Sequence, residues 1–358
     1  MKAIVVDRPG SPDVLQIREV PKPVARPGWV LVRVKAFGLN RSEMYTRQGH
    51  SGAAVRFPRV LGIECVGVVE DPSDSNLRKG DTVASVMGGM GRDFDGGYAE
   101  YTLLPIAQVM PVHTQLPWHE LAAIPETYLT AWGCLHDAMD MHGADSVLIR
   151  GGTSSVGMAA ISLAKDMGLT VAATTRSASK AAALIAIGAD HVIIDDGSIA
   201  AKVRQTFDTG VDGVLELIGT ATLLDSLRCA AHRGIVCFAG LLGNEWVLER
   251  FEPIAAIPST IRLTTYTTHT VDAANSTEAL QRIVRSVEAK RLHLNLDRVF
   301  KFGEIVAAHE HMENNRATGK LVVMSTDRMP GSHGPGGDES LDNDCSPHDL
   351  PDTKQTRR

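Results

Sequence analysis

The residues best suited to chemistry lie between Val147 and Gly168. There the apolar run Val147-Leu148-Ile149 enters Gly151-Gly152-Thr153-Ser154-Ser155-Val156-Gly157 and then a helical pattern. Val156, Ala160, Leu163, Ala164 and Met167 share one face of that helix, as an amphipathic helix requires. Small residues in such a turn let a pyrophosphate approach the backbone, and the N–H groups that open the helix face its charge. Gly157 leaves room for close packing of helix on strand. The stretch is predicted to be a dinucleotide cradle with Gly152, Thr153, Ser154, Ser155 and Val156 as contacts. Its spacing is not G-x-G-x-x-G, and a merely structural tight turn is the alternative.

Cofactor choice in such a site is set at the end of the next strand, where an acid would bind a ribose 2′-hydroxyl. That strand ends Ala173-Thr174-Thr175-Arg176-Ser177, with Lys180 following and no acid. A guanidinium fork and an ammonium suit a 2′-phosphate. NADPH is expected over NADH, with Thr175, Arg176 and Lys180 as contacts; a solvated basic helix start is the alternative. Gly219 and Gly240 each follow a strand at the carboxyl edge of the sheet, where a dinucleotide must lie. An ordinary strand-to-loop glycine explains each equally well.

Proline marks out the elements that must hold these residues. Ten of the 17 prolines fall in residues 1 to 120, and none falls between Pro125 and Pro253. Proline breaks helix interiors and sheet ladders, so a long block without it points to regular central elements. Inside the block, strands at Val147–Ile149, Leu169–Thr174, His191–Ile194, Val214–Leu217 and Gly234–Ala239 alternate with helical stretches. Alternation of this kind predicts a doubly wound parallel sheet. Earlier in the chain, short β-rich runs broken by Pro, Gly and Asp predict a compact, mostly β domain. After Pro258 come shorter strands, two helical patterns near Thr277–Lys290 and Phe302–Asn314, and a closing Gly319–Val323 run. The expected division is 1–121 for the first part of the β domain, 122–262 for the dinucleotide-binding domain, 263–326 for the return to the β domain, and 327–358 for a disordered tail. That tail is rich in Gly, Pro, Asp and Ser and has too few apolar residues to offset its ordering entropy.

Composition narrows the function. With 44% apolar and 22% charged residues over 358 positions the chain reads as globular. A net charge of -6 argues against nucleic acid or a membrane surface as the main partner. The five cysteines form no C-x-x-C pair and no disulfide framework, which fits a reducing compartment. With no apolar span and no export signal, a cytoplasmic location is expected.

Further segments are dispersed along the chain: GLNRSEMYTRQG at 38–49, LGIECVGVVE at 61–70, GGYAEY at 96–101, ETYLTAWGCL at 126–135 and RATGKLVV at 316–323. With the glycine loop, they make the chain resemble the medium-chain dehydrogenase/reductase superfamily, and within it the zinc-independent quinone oxidoreductases related to zeta-crystallin. The resemblance implies an α/β protein with a Rossmann-type doubly wound domain and a mostly β GroES-like domain. Zinc alcohol dehydrogenases of that superfamily carry their catalytic ligands at positions that match Asn40, Ile63 and Glu126, and Ile63 cannot bind a metal. No metal is expected. Without a Lewis acid, an electron-poor acceptor such as a quinone or an α,β-unsaturated carbonyl becomes the natural hydride acceptor.

The resemblance also implies that Asn40 and Tyr45 lie at the cleft near the nicotinamide and the acceptor. Tyr45 could donate to the acceptor oxygen or could simply be a packed aromatic. It places Thr130 near the nicotinamide, Arg316 within reach of the 2′-phosphate, and two chains in a homodimer. The leading expectation is an NADPH-dependent quinone reductase. An alkenal, enone or enoyl-thioester reductase, or an NADPH-binding structural or stress protein with little turnover, is the alternative.

Overall fold

A computed structural model describes residues 1–268 and 273–326; the tail from 327, expected to be disordered, lies outside the described residues. The proline-free block builds five strands of a six-stranded parallel sheet. Its order is His191–Ile194, Thr170–Thr175, Ser146–Arg150, Val211–Glu216, Ala230–Phe238 and Arg262–Thr265. Ser146–Arg150 is wholly buried, as expected of a strand with helices on both faces. The chain leaves this central strand in one direction, returns, and continues in the other, so the strand order reverses beside it. A crevice opens at such a reversal, outside the carboxyl ends of the strands.

The sixth strand corrects the expected division of the chain. Arg262–Thr265 pairs in parallel with Ala230–Phe238, so residues 263–265, assigned above to the β domain, extend the nucleotide sheet. This edge strand has four residues and one large apolar side chain, the half-buried Leu263. It therefore carries almost no periodicity to read.

Helix Ser155–Asp166 lies directly after the glycine turn and buries Ala159, Ala160, Ile161, Leu163 and Ala164. Burial of Ile161 and Leu163 stabilises its seat by about 1.5–3 kcal/mol each. On the other side of the crevice stands a sheet in the order Leu296–Phe300, Lys320–Met324, Trp29–Gly38, Glu64–Asp71, Thr82–Val86 and Met110–Pro111. Tyr101–Pro105 also pairs with Trp29–Gly38. Because Lys320–Met324 pairs antiparallel with Trp29–Gly38, a residue from near the end of the described chain, Lys320, enters the core beside Gly38. Helix Arg41–Arg47 follows Trp29–Gly38, and helix Pro125–Gly133 leads into the parallel sheet.

Candidate active site

A cavity of about 1150 Å³ lies at the carboxyl edge of the parallel sheet and is walled on its far side by helix Arg41–Arg47 and the segment 312–321. Of the residues singled out from sequence, Asn40, Tyr45, Thr130, Thr153, Ser154, Ser155, Val156, Thr175, Arg176, Lys180 and Gly240 line it. Three do not. Gly152 sits behind the wall, its N–H donating to the Thr174 carbonyl at 3.0 Å. Gly219 is turned away, capping helix Thr220–Cys229 with a φ of 127° and donating to Glu216 Oε1 at 3.0 Å. Arg316 is exposed outside the cavity.

The glycine turn is held by short-range bonds. Ser154 Oγ accepts from Gly157 N–H at 3.0 Å and donates to the Gly151 carbonyl at 2.8 Å, so it acts as the N-cap of the helix. A Cβ at Gly157 would collide with the Gly151 carbonyl oxygen and crowd Gly152, which explains why the turn needs glycine there. The turn is tied to the next strand by Gly151 N–H donating to Thr174 Oγ1 at 3.0 Å. These small residues and an open helix start leave a cradle that suits a dinucleotide pyrophosphate.

Under the turn lies a network that sequence reading missed. Arg150, fully buried, donates to Asp195 at 2.9 and 3.0 Å, to Asp225 at 2.8 Å, to Ser226 at 3.0 Å and to the Thr222 carbonyl at 3.2 Å. Glu216 Oε2 stands 4.0 Å away. One cation thus joins the ends of three strands to helix Thr220–Cys229.

Arg176 and Lys180 reach the same cavity as Arg41, which was not singled out from sequence. Burial, reinforced by the neighbouring positive charge of Arg176, holds the Arg41 guanidinium below its ordinary pKa. Arg41 also donates to Asn315 Oδ1 at 2.6 Å, and Lys180 Nζ to the Ala317 carbonyl at 3.2 Å. Three cations on one wall make an anion-attracting end.

The Tyr45 hydroxyl is engaged in this structure. It lies 2.6 Å from the Leu241 carbonyl and 2.8 Å from Asn244 Oδ1, and its ring packs edge-on to Trp246 at 4.8 Å between centroids. Tyr45 therefore fastens helix Arg41–Arg47 to the 239–246 segment across the cavity. The loop after strand Thr82–Val86 contributes Met87, Arg92 and Asp93 to the wall, whereas Met90 is packed in the core.

Between Asn40 and Thr130 the wall is polar, and Glu43, Glu64, Glu126 and Lys320 are buried in it. Asn40 Nδ2 donates to Glu64 Oε1 at 2.9 Å, and Lys320 Nζ donates to Asn40 Oδ1 at 2.7 Å and to Glu64 Oε1 at 2.5 Å. Glu64 Oε2 accepts the Glu126 N–H at 3.0 Å, and Glu43 Oε1 accepts the Ile63 N–H at 3.0 Å. Burial above all raises the Glu43 carboxyl to about 7, despite its backbone bonds and the pull of Lys320. Thr130 Oγ1 donates to Glu126 Oε1 at 3.2 Å, not to its own backbone. Only the residue types of this cluster were visible in sequence, because Lys320 and Glu64 lie 256 positions apart.

Comparison with known proteins gives the same class. Residues 26–114 match the family model described as alcohol dehydrogenase GroES-like domain, and residues 187–323 match zinc-binding dehydrogenase. Quinone oxidoreductase of Mus musculus is 30% identical over 250 residues, covering 68% of this chain and 74% of that protein. The Homo sapiens quinone oxidoreductase is 27% identical over 330 residues, covering 90% of this chain and 98% of that protein. Among solved structures, Pseudomonas syringae quinone oxidoreductase has a TM-score of 0.81 at 26% identity, covering 90% of this chain and 99% of that one. A mycobacterial protein solved in complex with NADPH has 0.80 at 25%, covering 90% and 100%. A 2-haloacrylate reductase has 0.77 at 25%, covering 90% and 99%. The fold and cleft are those of a two-domain oxidoreductase with a nicotinamide-type site. The chain belongs to the medium-chain dehydrogenase/reductase superfamily, in its quinone oxidoreductase-like group.

The matched family name raises zinc, and the residues present do not fit it. Asn40 is a neutral amide whose oxygen already takes the Lys320 ammonium, and Ile63 offers no donor. Among the described residues no group of three or more His, Cys, Asp or Glu is arranged to hold a metal ion.

Proposed function

We propose that the chain is a zinc-independent, NADPH-dependent reductase that acts on a quinone in the cleft between its two sheets. The observation that carries this reading is a single cavity joining the glycine cradle, the Arg41–Arg176–Lys180 end and the Asn40–Glu126 wall. Bound there, NADPH supplies a hydride. Ser155 and Val156, which open the helix, would receive the pyrophosphate. Arg176, Lys180 and Arg41 would hold the 2′-phosphate, and no acid stands at the end of Thr170–Thr175 to favour NADH. Asn40, Tyr45 and Thr130 would orient the nicotinamide and the acceptor. Because Asn40 and Ile63 stand where zinc relatives carry ligands and do not suit a metal, the acceptor must already be electron-poor.

A second reading, reduction of an α,β-unsaturated carbonyl, is favoured by the similarity to 2-haloacrylate reductase. A cytoplasmic setting is supported by the free, buried thiols of Cys65, Cys134, Cys229 and Cys237, and no described helix is long and apolar enough to cross a membrane. A homodimer through the parallel sheet is supported by its outer strand, Arg262–Thr265, which has one partner strand among the described residues. The test is NADPH oxidation with a panel of quinones and enones. Faster turnover of quinones supports the first reading and faster turnover of enones the second. Tight NADPH binding with turnover of neither would mark a binding protein.

A further inference from the structure

Glu126 is the buried acid on the cavity wall that the reading above leaves without a task. It is 8% exposed, lines the cavity, and occupies the second residue of helix Pro125–Gly133. Its two oxygens have unlike surroundings. Oε1 receives hydrogen bonds from Thr268 Oγ1 at 2.8 Å and Thr130 Oγ1 at 3.2 Å. Oε2 is buried and has no protein partner. A protonated carboxyl held in this way keeps its proton on Oε2, since two hydroxyl donors already point at Oε1. A buried polar atom without a partner costs free energy, and at a cavity wall a ligand atom can supply the bond.

We propose that Glu126 is a further catalytic residue, a neutral carboxylic acid that donates from Oε2 to the carbonyl oxygen of the acceptor and then transfers its proton there. The proposal rests on the reductase reading. As the acceptor receives the hydride and its electron pair, negative charge collects on the carbonyl oxygen. The Glu126 Oε2–H bond breaks, a new O–H bond forms on the acceptor, and the carboxylate left behind stays bonded to Thr130 and Thr268. Water returns the proton before the next turnover. A Brønsted acid thus stands at the position where zinc relatives place a metal ligand, and it assists the same oxygen by hydrogen bonding and proton transfer.

The electrostatic surroundings favour the neutral form. Burial first, and then the negative charge of Glu64, raise the Glu126 carboxyl to about 8 against the lowering pull of Thr268 and Lys320. The charged and titratable groups that face it are Glu43 on helix Arg41–Arg47, Glu64 on its strand, Lys320 on the last strand and Tyr266 beyond the edge strand. Glu43 raises the carboxyl further, and Tyr266, itself pushed up by burial, stays neutral.

The test compares wild type with Glu126→Gln and Thr268→Val, each loaded with NADPH. Glutamine keeps the shape and a donor but cannot give up a proton. Glu126→Gln is expected to lower kcat by about 10²-fold, the low end for general acid catalysis, with NADPH affinity unchanged. Wild-type kcat/KM is expected to fall above a pH of about 8, and Glu126→Gln to lose that limb. Thr268→Val deletes a bond that favours the carboxylate and is expected to move the limb to higher pH. Infrared difference spectra without any acceptor supply an independent readout: a protonated carboxyl band near neutral pH that Glu126→Gln removes. Equal kcat and pH profile in Glu126→Gln, or absence of that band, overturns the proposal while the reductase reading stands. Failure of the wild type to reduce any quinone or enone overturns both.

Discussion

Replacing Arg150 by methionine isolates the network that holds the carboxyl edge of the parallel sheet. Methionine fills much of the same space and deletes every bond to Asp195, Asp225, Ser226 and the Thr222 carbonyl. Three buried or half-buried carboxyl groups then face one another without a cation. Breaking a buried ion network from one side costs about 3–5 kcal/mol. At about 2–4 °C per kcal/mol, the calorimetric transition is expected to fall by roughly 6–20 °C. The pH dependence has a definite sign. Burial alone would raise the Asp195 carboxyl, but Arg150 and the Gly197 N–H outweigh it and leave the folded value below 3.8. Wild type therefore gains stability from Asp195 above that pH and loses it as pH falls through the lower folded value. The variant lacks this gain, so its deficit is expected to be widest near neutral pH and to narrow in acid. Scanning calorimetry across pH, with the exposed Arg204→Met as control, reads both effects. A loss within about 0.5 kcal/mol, the range of ordinary surface substitutions, would refute the reasoning, as would a deficit independent of pH.

Other substitutions test the site more locally. Gly157→Ala drives a Cβ into the Gly151 carbonyl oxygen and is expected to weaken NADPH at least about tenfold by calorimetry, since the helix start must shift; unchanged affinity would show that the cradle tolerates the methyl. Tyr45→Phe removes the bond to Leu241 and is expected to cost about 0.5–1.5 kcal/mol of thermal stability; no change in the melting transition would show that the clasp contributes nothing. Glu126 has a folded pKa raised from 4.5 to about 8, so the stability that its neutral form confers is complete below pH 4.5 and is lost as pH rises through 8. Melting temperatures of wild type should fall more steeply over that window than those of Glu126→Gln, and parallel curves would contradict the shift.

What the sequence revealed follows from where its signals are local. The glycine turn, its helix and five strands of the parallel sheet are readable because strand and helix periodicity and turn chemistry act within about 20 residues. The edge strand Arg262–Thr265 is not, because its identity comes from pairing with Ala230–Phe238. Arg150 was visible as the last residue of an apolar strand, but its partners lie 45 to 76 positions away. The Glu64–Lys320 pair shows the same limit, being brought together only when the final strand joins the first domain. For Tyr45 the sequence indicated the cleft, and the fold decided that its hydroxyl meets Leu241. Gly219 and Arg316 fitted the sequence pattern, yet the backbone turns one into a helix cap and leaves the other in solvent.

Titration calorimetry with NADPH and NADH, on wild type and Arg176→Ala, tests most directly whether this cleft holds a phosphorylated nicotinamide cofactor. A charge-assisted bond to a 2′-phosphate contributes about 1.5–3 kcal/mol, so wild type should bind NADPH about 10- to 100-fold more tightly than NADH. Arg176→Ala should close most of that gap and leave NADH nearly unchanged. No heat on adding NADPH, or equal affinity for the two cofactors in wild type, would contradict it.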